Sequence, residues 1–375
     1  MNKFLTLIFL ILIAGCGRQD TSLPVIDTQA SKPRVVNLSE IFEKDEMIIL
    51  ETSDSCLLTN ISQVIKTKDA IYVLDNNWNV SRIGMFDRTG RFIRWIGRMG
   101  NGPEEYHFLS AITLDSINQK LIAVSEKDIL EYKLDGSFIQ SYPTGIKSQI
   151  ENIYVINDTI WLFNHDYYNT PDERKIIYFY YHSEKKDSII LNRYKSRTDV
   201  LQISSNTQII SQLKESTYIY FPVLSPEPFL RDTLYEIKGK RLLPALKLDF
   251  SSVLKVSNGT VASNLSFNEW KKGCIRLRNI TLNDIYRTHN FLFADYTLDS
   301  TSYKFCYDFT KQDGFNMEFG FHDDLFGTGQ FFNPKPMDLY NGRFYYSMNS
   351  ISIKDVIPGI NEESNPVLFF LKIKT

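Results

Sequence analysis

An all-β fold is what the 375-residue sequence predicts, and three observations carry the prediction. Aromatic residues make up 14% of the chain, with 26 Phe and 21 Tyr, and such side chains, like β-branched ones, suit a pleated, half-buried surface. Beyond the opening apolar run, long stretches of amphipathic helical periodicity are missing. A short phrase recurs instead, a turn-forming polar residue followed by a run of apolar ones, and it occurs six times.

The phrases lie at residues 69–74, 119–124, 157–163, 215–220, 289–293 and 341–346. Each is followed by a second strand-like run, at 83–87, 129–134, 176–181, 233–238, 303–309 and 367–373. Third runs follow at 92–96, 138–142, 189–194, 242–250 and 315–321, which makes only five. Asp87-Arg88-Thr89-Gly90 and Asp135-Gly136 supply the positive-φ glycine that tight hairpins need. The missing last strand has a natural donor near the start of the chain, either 35–38 or 47–50. Repeats of this spacing in a chain of this length predict a six-bladed β-propeller of four-stranded antiparallel blades, closed by an N-terminal strand that completes the last blade. Between 201 and 288 the repeat is irregular, and an insertion at 265–279 leaves room for a short helix.

Residues 1–15 read as an export signal: Lys3 precedes an apolar run from Phe4 to Ile13 that is too short to span a bilayer. The following Ile13-Ala14-Gly15-Cys16 resembles the lipobox of bacterial lipoproteins. That resemblance implies that Cys16 is acylated, for example by palmitate, and becomes the first residue of the mature chain. Gly17 in place of an aspartate implies sorting to the outer membrane, with the periplasmic and external faces both open. Residues 16–34, with Pro24 and Pro33, are expected to form a flexible tether, and 35–375 the propeller.

The net charge of −2 offers no basic stripe, so a nucleic-acid partner is not expected. Besides Cys16 there are Cys56, Cys274 and Cys306. A pairing of Cys274 with Cys306 stands beside the favoured reading of these residues as small buried hydrophobes. No CxxC or HxxxH spacing occurs, so a structural zinc site is not expected.

The stretch Ile96-Gly97-Arg98-Met99-Gly100-Asn101-Gly102-Pro103-Glu104-Glu105-Tyr106, with Phe86-Asp87-Arg88-Thr89-Gly90 upstream, resembles the six-bladed β-propeller lipoproteins of Bacteroidales, relatives of the NHL-repeat propellers. The resemblance implies a surface or periplasmic propeller that binds ligands or partners, without assigned catalysis.

In a meander blade, the loops from second to third strand and from fourth strand to the next blade open on one face. On that rim the sequence places Trp78, Arg98, Tyr106, His165, Tyr167, Tyr168, Trp270 and His322. Flat rings beside hydrogen-bonding groups suit a glycan or a peptide, and it is their gathering on one rim that points there, since each ring alone reads first as packing between blades. Gly97, Gly100 and Gly102 are not a phosphate loop, because a strand rather than a helix follows. Glu104 and Glu105 are expected to hold that loop together. His322-Asp323-Asp324 reads as a solvated polar loop rather than a metal site. There is no Gly-x-Ser-x-Gly elbow, and the five histidines have no evident nucleophile partner. The expected function is therefore non-enzymatic binding of a glycan, peptide or envelope protein on the rim, by a protein held to the membrane through Cys16. A lactonase-like hydrolase or lyase with a calcium ion in its channel is the first alternative, although no ligand set for it stands out. An envelope-complex scaffold is the second. No other cofactor is expected.

Overall fold

A computed structural model describes residues 23–374, apart from 31, 78, 103, 126–127, 147–149, 165–172, 182–183, 193–202, 205–209, 221–222, 225–229 and 256–278. The described residues form an all-β structure of four-stranded antiparallel meanders. The first comprises Ile61–Lys66, Ala70–Asn76, Ser81–Asp87 and Phe92–Ile96. The second comprises Leu109–Asp115, Lys120–Ser125, Asp128–Lys133 and Phe138–Pro143, and the third Ile150–Ile156, Thr159–Asn164, Glu173–Tyr181 and Glu184–Asn192. The fourth joins Ile210–Gln212, Thr217–Ile219, Thr233–Lys238 and Arg241–Asp249, and the fifth Ile280–Arg287, Phe291–Leu298, Thr301–Asp308 and Asp313–Met317. In the sixth, Lys335–Asp338, Arg343–Met348 and Val367–Ile373 are completed by Phe42–Ile49, which pairs antiparallel with Val367–Ile373. Of the two candidate donors, the later one supplies the strand.

The recurring phrases are the second strands, and their uninterrupted apolar runs have a physical cause. Side chains alternate between the two faces of a sheet, and here both faces are buried against neighbouring sheets. In the first meander, Ile71 and Val73 share a core cluster with Leu368 and Phe370 of the sixth, whereas Tyr72 and Leu74 share one with Leu121 and Ala123 of the second. In the second, Ile122 and Val124 join Ile153 and Leu162 of the third. Phe163 and Ile219 link the third to the fourth, Leu234 and Leu292 the fourth to the fifth, and Phe293 and Phe344 the fifth to the sixth. Each meander thus shares one cluster with the sheet before it and another with the sheet after it, the sixth with the first. The fourth strands lie outside, and Phe92–Ile96 and Phe138–Pro143 are largely exposed or half-buried.

The tether predicted over 16–34 requires correction. From Val25 onward this segment is docked. Val25–Asp27 adds a parallel strand to the outer edge of the fourth meander, with Val25 opposite Lys247 and Asp27 opposite Asp249. Pro33 bridges to Asn316 at the edge of the fifth, and Val36–Asn37 pairs with Phe321–His322. Two effects hold this strap. Ile26 and Ala30 enter the core between the fourth and fifth meanders, and two otherwise open sheet edges gain backbone partners. The strap ends in a single helical turn, Leu38–Ile41, started by a capping box between Asn37 and Glu40. The insertion at 265–279 and the export signal fall outside the described residues, except Asn279. Among the described residues no helix is long and apolar enough to cross a membrane.

One glycine locks the start of the sheet system. Gly90, in the last hairpin of the first meander, has φ +90°, and a Cβ there would lie 2.2 Å from the carbonyl oxygen of Ile49. Its own carbonyl accepts the Glu51 amide at 2.8 Å, so the hairpin sits directly against the end of the N-terminal strand.

Candidate functional site

The first strands of five meanders, the first to fourth and the sixth, line one cavity of about 570 Å³, at the end where each turns into its second strand. A local irregularity shapes these strands. In five of the six meanders the register of the first strand shifts, between Ile61 and Gln63, Leu109 and Ala111, Ile150 and Asn152, Leu282 and Asp284, and Pro336 and Asp338. Each shift inserts one residue and bends the strand.

The cavity floor is apolar, with Val64, Ile112, Ile153, Ile210 and Met337. Gln63 spans the gap between two first strands as a backbone would: its Nε2 donates to the Ile112 carbonyl at 2.7 Å, and its Oε1 accepts the Ile112 amide at 2.9 Å. Tyr154 and Tyr345 contribute rings, and burial pushes both phenols well above the usual tyrosine range, so they are neutral at any physiological pH. Tyr340 stands at the mouth, 47% exposed, with its ring 5.9 Å from that of His289.

Four ionisable side chains other than tyrosine line the cavity: Lys66, Lys214, Asp338 and Arg343. Two of them are engaged. The Lys66 ammonium lies 2.8 Å from carboxylate oxygens of both Asp45 and Glu46 and over the Phe370 ring. The Asp338 carboxylate accepts the Asn341 backbone amide at 3.1 Å and its side-chain amide at 2.6 Å, which fixes the turn. Lys214 and Arg343 are exposed, and neither makes an ion pair or a side-chain hydrogen bond among the described residues.

None of the described rim residues, Arg98, Tyr106 and His322, lines this cavity. Trp78, His165, Tyr167, Tyr168 and Trp270 lie outside the described residues. Arg98 is exposed, but its Nε donates to Glu105 at 2.5 Å. Tyr106 requires correction as a surface residue, because it is only 2% exposed and packs in the core between the first and second meanders. A short parallel bridge between Arg98–Met99 and Glu105–Tyr106 folds the loop back and turns the ring inward. His322 belongs to a different loop, after the fifth meander, where its Nδ1 lies 3.2 Å from Asn37 Oδ1 and its ring meets Phe331.

The glycine-rich loop wraps its own carboxylate. Glu105 accepts the Gly102 amide at 2.8 Å, and a Cβ on Gly100 would lie 2.0 Å from Glu105 Oε2. The Gly102 amide, with Arg98 beside it, holds the Glu105 carboxyl below the usual glutamate range. Because the folded-state value is lowered, the stabilisation is present above the unfolded value and is lost as pH falls through the folded one. Amide exchange in residues 98–106, taken relative to the unprotected rate at the same pH, is therefore expected to accelerate only in acid, below the ordinary glutamate range. In Glu105→Gln it should already be fast at neutral pH, and equal protection in the variant would contradict the role given to Glu105.

Of the predicted solvated loop at His322-Asp323-Asp324, Asp324 is exposed but Asp323 requires correction. Asp323 is 2% exposed and accepts the amides of Leu325, Phe326 and Thr328 and the Thr328 hydroxyl. Asp324 accepts the amide and hydroxyl of Ser39, joining this loop to the helical turn of the strap. These carboxylates are spent on folding their own surroundings. Among the described residues no three His, Cys, Asp or Glu side chains come together as metal ligands would. Cys56 and Cys306 are buried free thiols, and Cys274 lies outside the described residues.

Residues 22–372 match the model of a family described as a domain of unknown function (DUF4934). Among solved structures, a protein of Bacteroides fragilis described as exported is 19% identical, with 94% of this chain and 100% of that chain covered and a TM-score of 0.70. A member of the DUF4221 family from Bacteroides vulgatus is 11% identical, with 89% and 98% covered and a TM-score of 0.53. At these identities the likeness is one of fold. A search of curated protein sequences finds no match.

Proposed function

The chain belongs to the DUF4934 family, domains of unknown function, and from that premise we propose that it is a lipid-anchored six-bladed propeller of the cell envelope that binds a small ligand without catalysis. The observation that carries the binding reading is the cavity of about 570 Å³ on which the first strands of five meanders converge. Its volume falls in the range of small-molecule sites, and its apolar floor with a few polar groups at the mouth is their usual composition. The six clusters that link each sheet to the next, and the sixth to the first, support the count of six blades and closure through Phe42–Ile49.

This reading moves the ligand from the predicted rim to the cavity, since Arg98 is committed to Glu105 and Tyr106 is buried. It also weighs against the lactonase-like alternative. Calcium takes six to eight oxygen ligands, carboxylates prominent among them. Among the described residues Asp338 is the only carboxylate lining the cavity, and Asn341 occupies it.

The anchor is tested by Cys16→Ser, which is expected to move the protein from the membrane fraction to the soluble fraction. Continued membrane association would refute lipidation at Cys16. The site is tested by Ser116→Trp, which places a bulky ring at an exposed position lining the cavity mouth. Glycan and peptide arrays should give a signal with the unmodified chain that this variant loses. A signal that survives places the ligand elsewhere, and silent arrays with one stoichiometric protein in envelope pull-downs would favour scaffolding.

A further inference from the structure

Resting on the cavity as the binding site, we propose that its ligand carries an oxyanion, of carboxylate or phosphate type, on a sugar-sized body, and that Lys214 and Arg343 hold the charge. The argument begins with sign. The chain as a whole carries −2, yet the cavity is lined by three cations and one carboxylate. Lys66 is neutralised by Asp45 and Glu46, and Asp338 is turned to Asn341. What remains is two cations and no counter-charge from the lining.

These two come from separate elements. Lys214 sits in the turn between Ile210–Gln212 and Thr217–Ile219, and Arg343 opens the strand Arg343–Met348. Two like charges beside one cavity repel, and a bound oxyanion relieves both at once. The apolar floor strengthens that attraction, because a charge pair at the edge of a low-dielectric surface is screened less than one in open water. A guanidinium adds a planar fork that matches a carboxylate or phosphate.

The uncharged part of the ligand has its own partners. Tyr154 and Tyr345 border the same space, and Tyr340 presents a half-exposed ring at the mouth. Such rings cover the apolar face of a sugar while its hydroxyls meet groups such as Gln212 and Ser116. Neutral sugar would leave both cations unanswered, so charge is the discriminating feature.

The test is titration calorimetry on the full chain in detergent micelles with galacturonate, glucose 6-phosphate and glucose as probes. At least one acidic probe is expected to bind, more tightly than glucose, and to weaken as salt is raised. Lys214→Ala and Arg343→Ala should each weaken it about 10-fold, as loss of one charged hydrogen bond does, while Lys214→Arg retains binding. The melting temperature should not move in any of these variants, because both side chains are exposed and make no ion pair or side-chain hydrogen bond among the described residues. Failure of both acidic probes to outdo glucose overturns the proposal, and so does acidic binding that persists in the double alanine variant. Ser116→Trp separates this failure from that of the cavity itself. Neutral-sugar binding that it abolishes leaves the cavity reading standing and the oxyanion refuted, and binding that it leaves unchanged refutes both.

Discussion

A chain ending at residue 366 is expected to lose cooperative folding altogether. The deleted strand, Val367–Ile373, is central in the sixth meander, between Phe42–Ile49 and Arg343–Met348. Val367, Leu368, Phe369, Phe370 and Leu371 are each 0% exposed, and Ile373 is 6% exposed. Their alternation splits them between two clusters: Leu368 and Phe370 face the first meander, and Val367, Phe369, Leu371 and Ile373 face the fifth. Burying side chains of this kind is worth about 1.5–3 kcal/mol apiece, so the strand contributes on the order of 10 kcal/mol, as much as the whole net stability of a typical domain. Phe369 also stacks on Tyr346 at 4.7 Å, which stacks in turn on Phe332 at 4.0 Å, so the loss spreads through an aromatic column. Circular dichroism should show no thermal transition for the truncated chain. The milder Phe370→Ala should melt cooperatively with a loss of about 3–5 kcal/mol. A cooperative melt of the truncated chain near the intact one would contradict the place given to this strand.

What the sequence could and could not announce follows from the same packing. Second strands were legible because sheets buried on both faces write continuous apolar runs, as in Ala70–Asn76 and Lys120–Ser125. First strands were not. Their inserted residue turns the period of two into buried pairs three apart, Ile61 with Val64, Leu109 with Ile112, Ile150 with Ile153 and Leu282 with Ile285, a spacing that belongs to helices as much as to strands. The cavity they line was therefore hidden, although the recurrence of this pair upstream of the phrases was a signal that could have exposed it. Tyr106 and Asp323 were misplaced because a loop read as surface folds back on itself, through a two-residue bridge in one case and a buried carboxylate in the other. The Glu105 clasp was legible, since a glycine-rich turn beside a carboxylate leaves its amides little else to serve.

The strap is the part of the chain whose polar composition misled most, and one side chain is expected to decide whether it stays docked. Asn316 is 1% exposed in the outer strand of the fifth meander. Its Nδ2 donates to the carbonyls of Thr28 at 2.7 Å and Gln29 at 3.1 Å, and its Oδ1 accepts the Tyr296 hydroxyl at 2.9 Å. Its backbone carbonyl accepts the Arg34 amide at 2.8 Å. An alanine here keeps the backbone bond but removes three side-chain hydrogen bonds and orphans the Thr28 carbonyl, whereas the Gln29 carbonyl keeps the Lys32 amide and the Tyr296 hydroxyl keeps the Ala30 carbonyl. An orphaned interior carbonyl costs about 1–3 kcal/mol unless water can reach it, and each lost hydrogen bond about 1 kcal/mol; water reaches the Thr28 carbonyl only if the strap lifts. The expected result for Asn316→Ala is thus a destabilisation of about 3 kcal/mol, with faster hydrogen exchange at the amides of Thr28, Arg34 and Lys247, which face strap or edge-strand carbonyls. Lifting would also withdraw Ile26 and Ala30 from the core and bare the edge of Arg241–Asp249, a row of unpaired backbone groups that invites association between chains. Light scattering on warming should therefore rise in this variant before global unfolding. Unchanged protection at Thr28 and Arg34, with an unchanged melt, would mean that the strap is held by its backbone ladder alone.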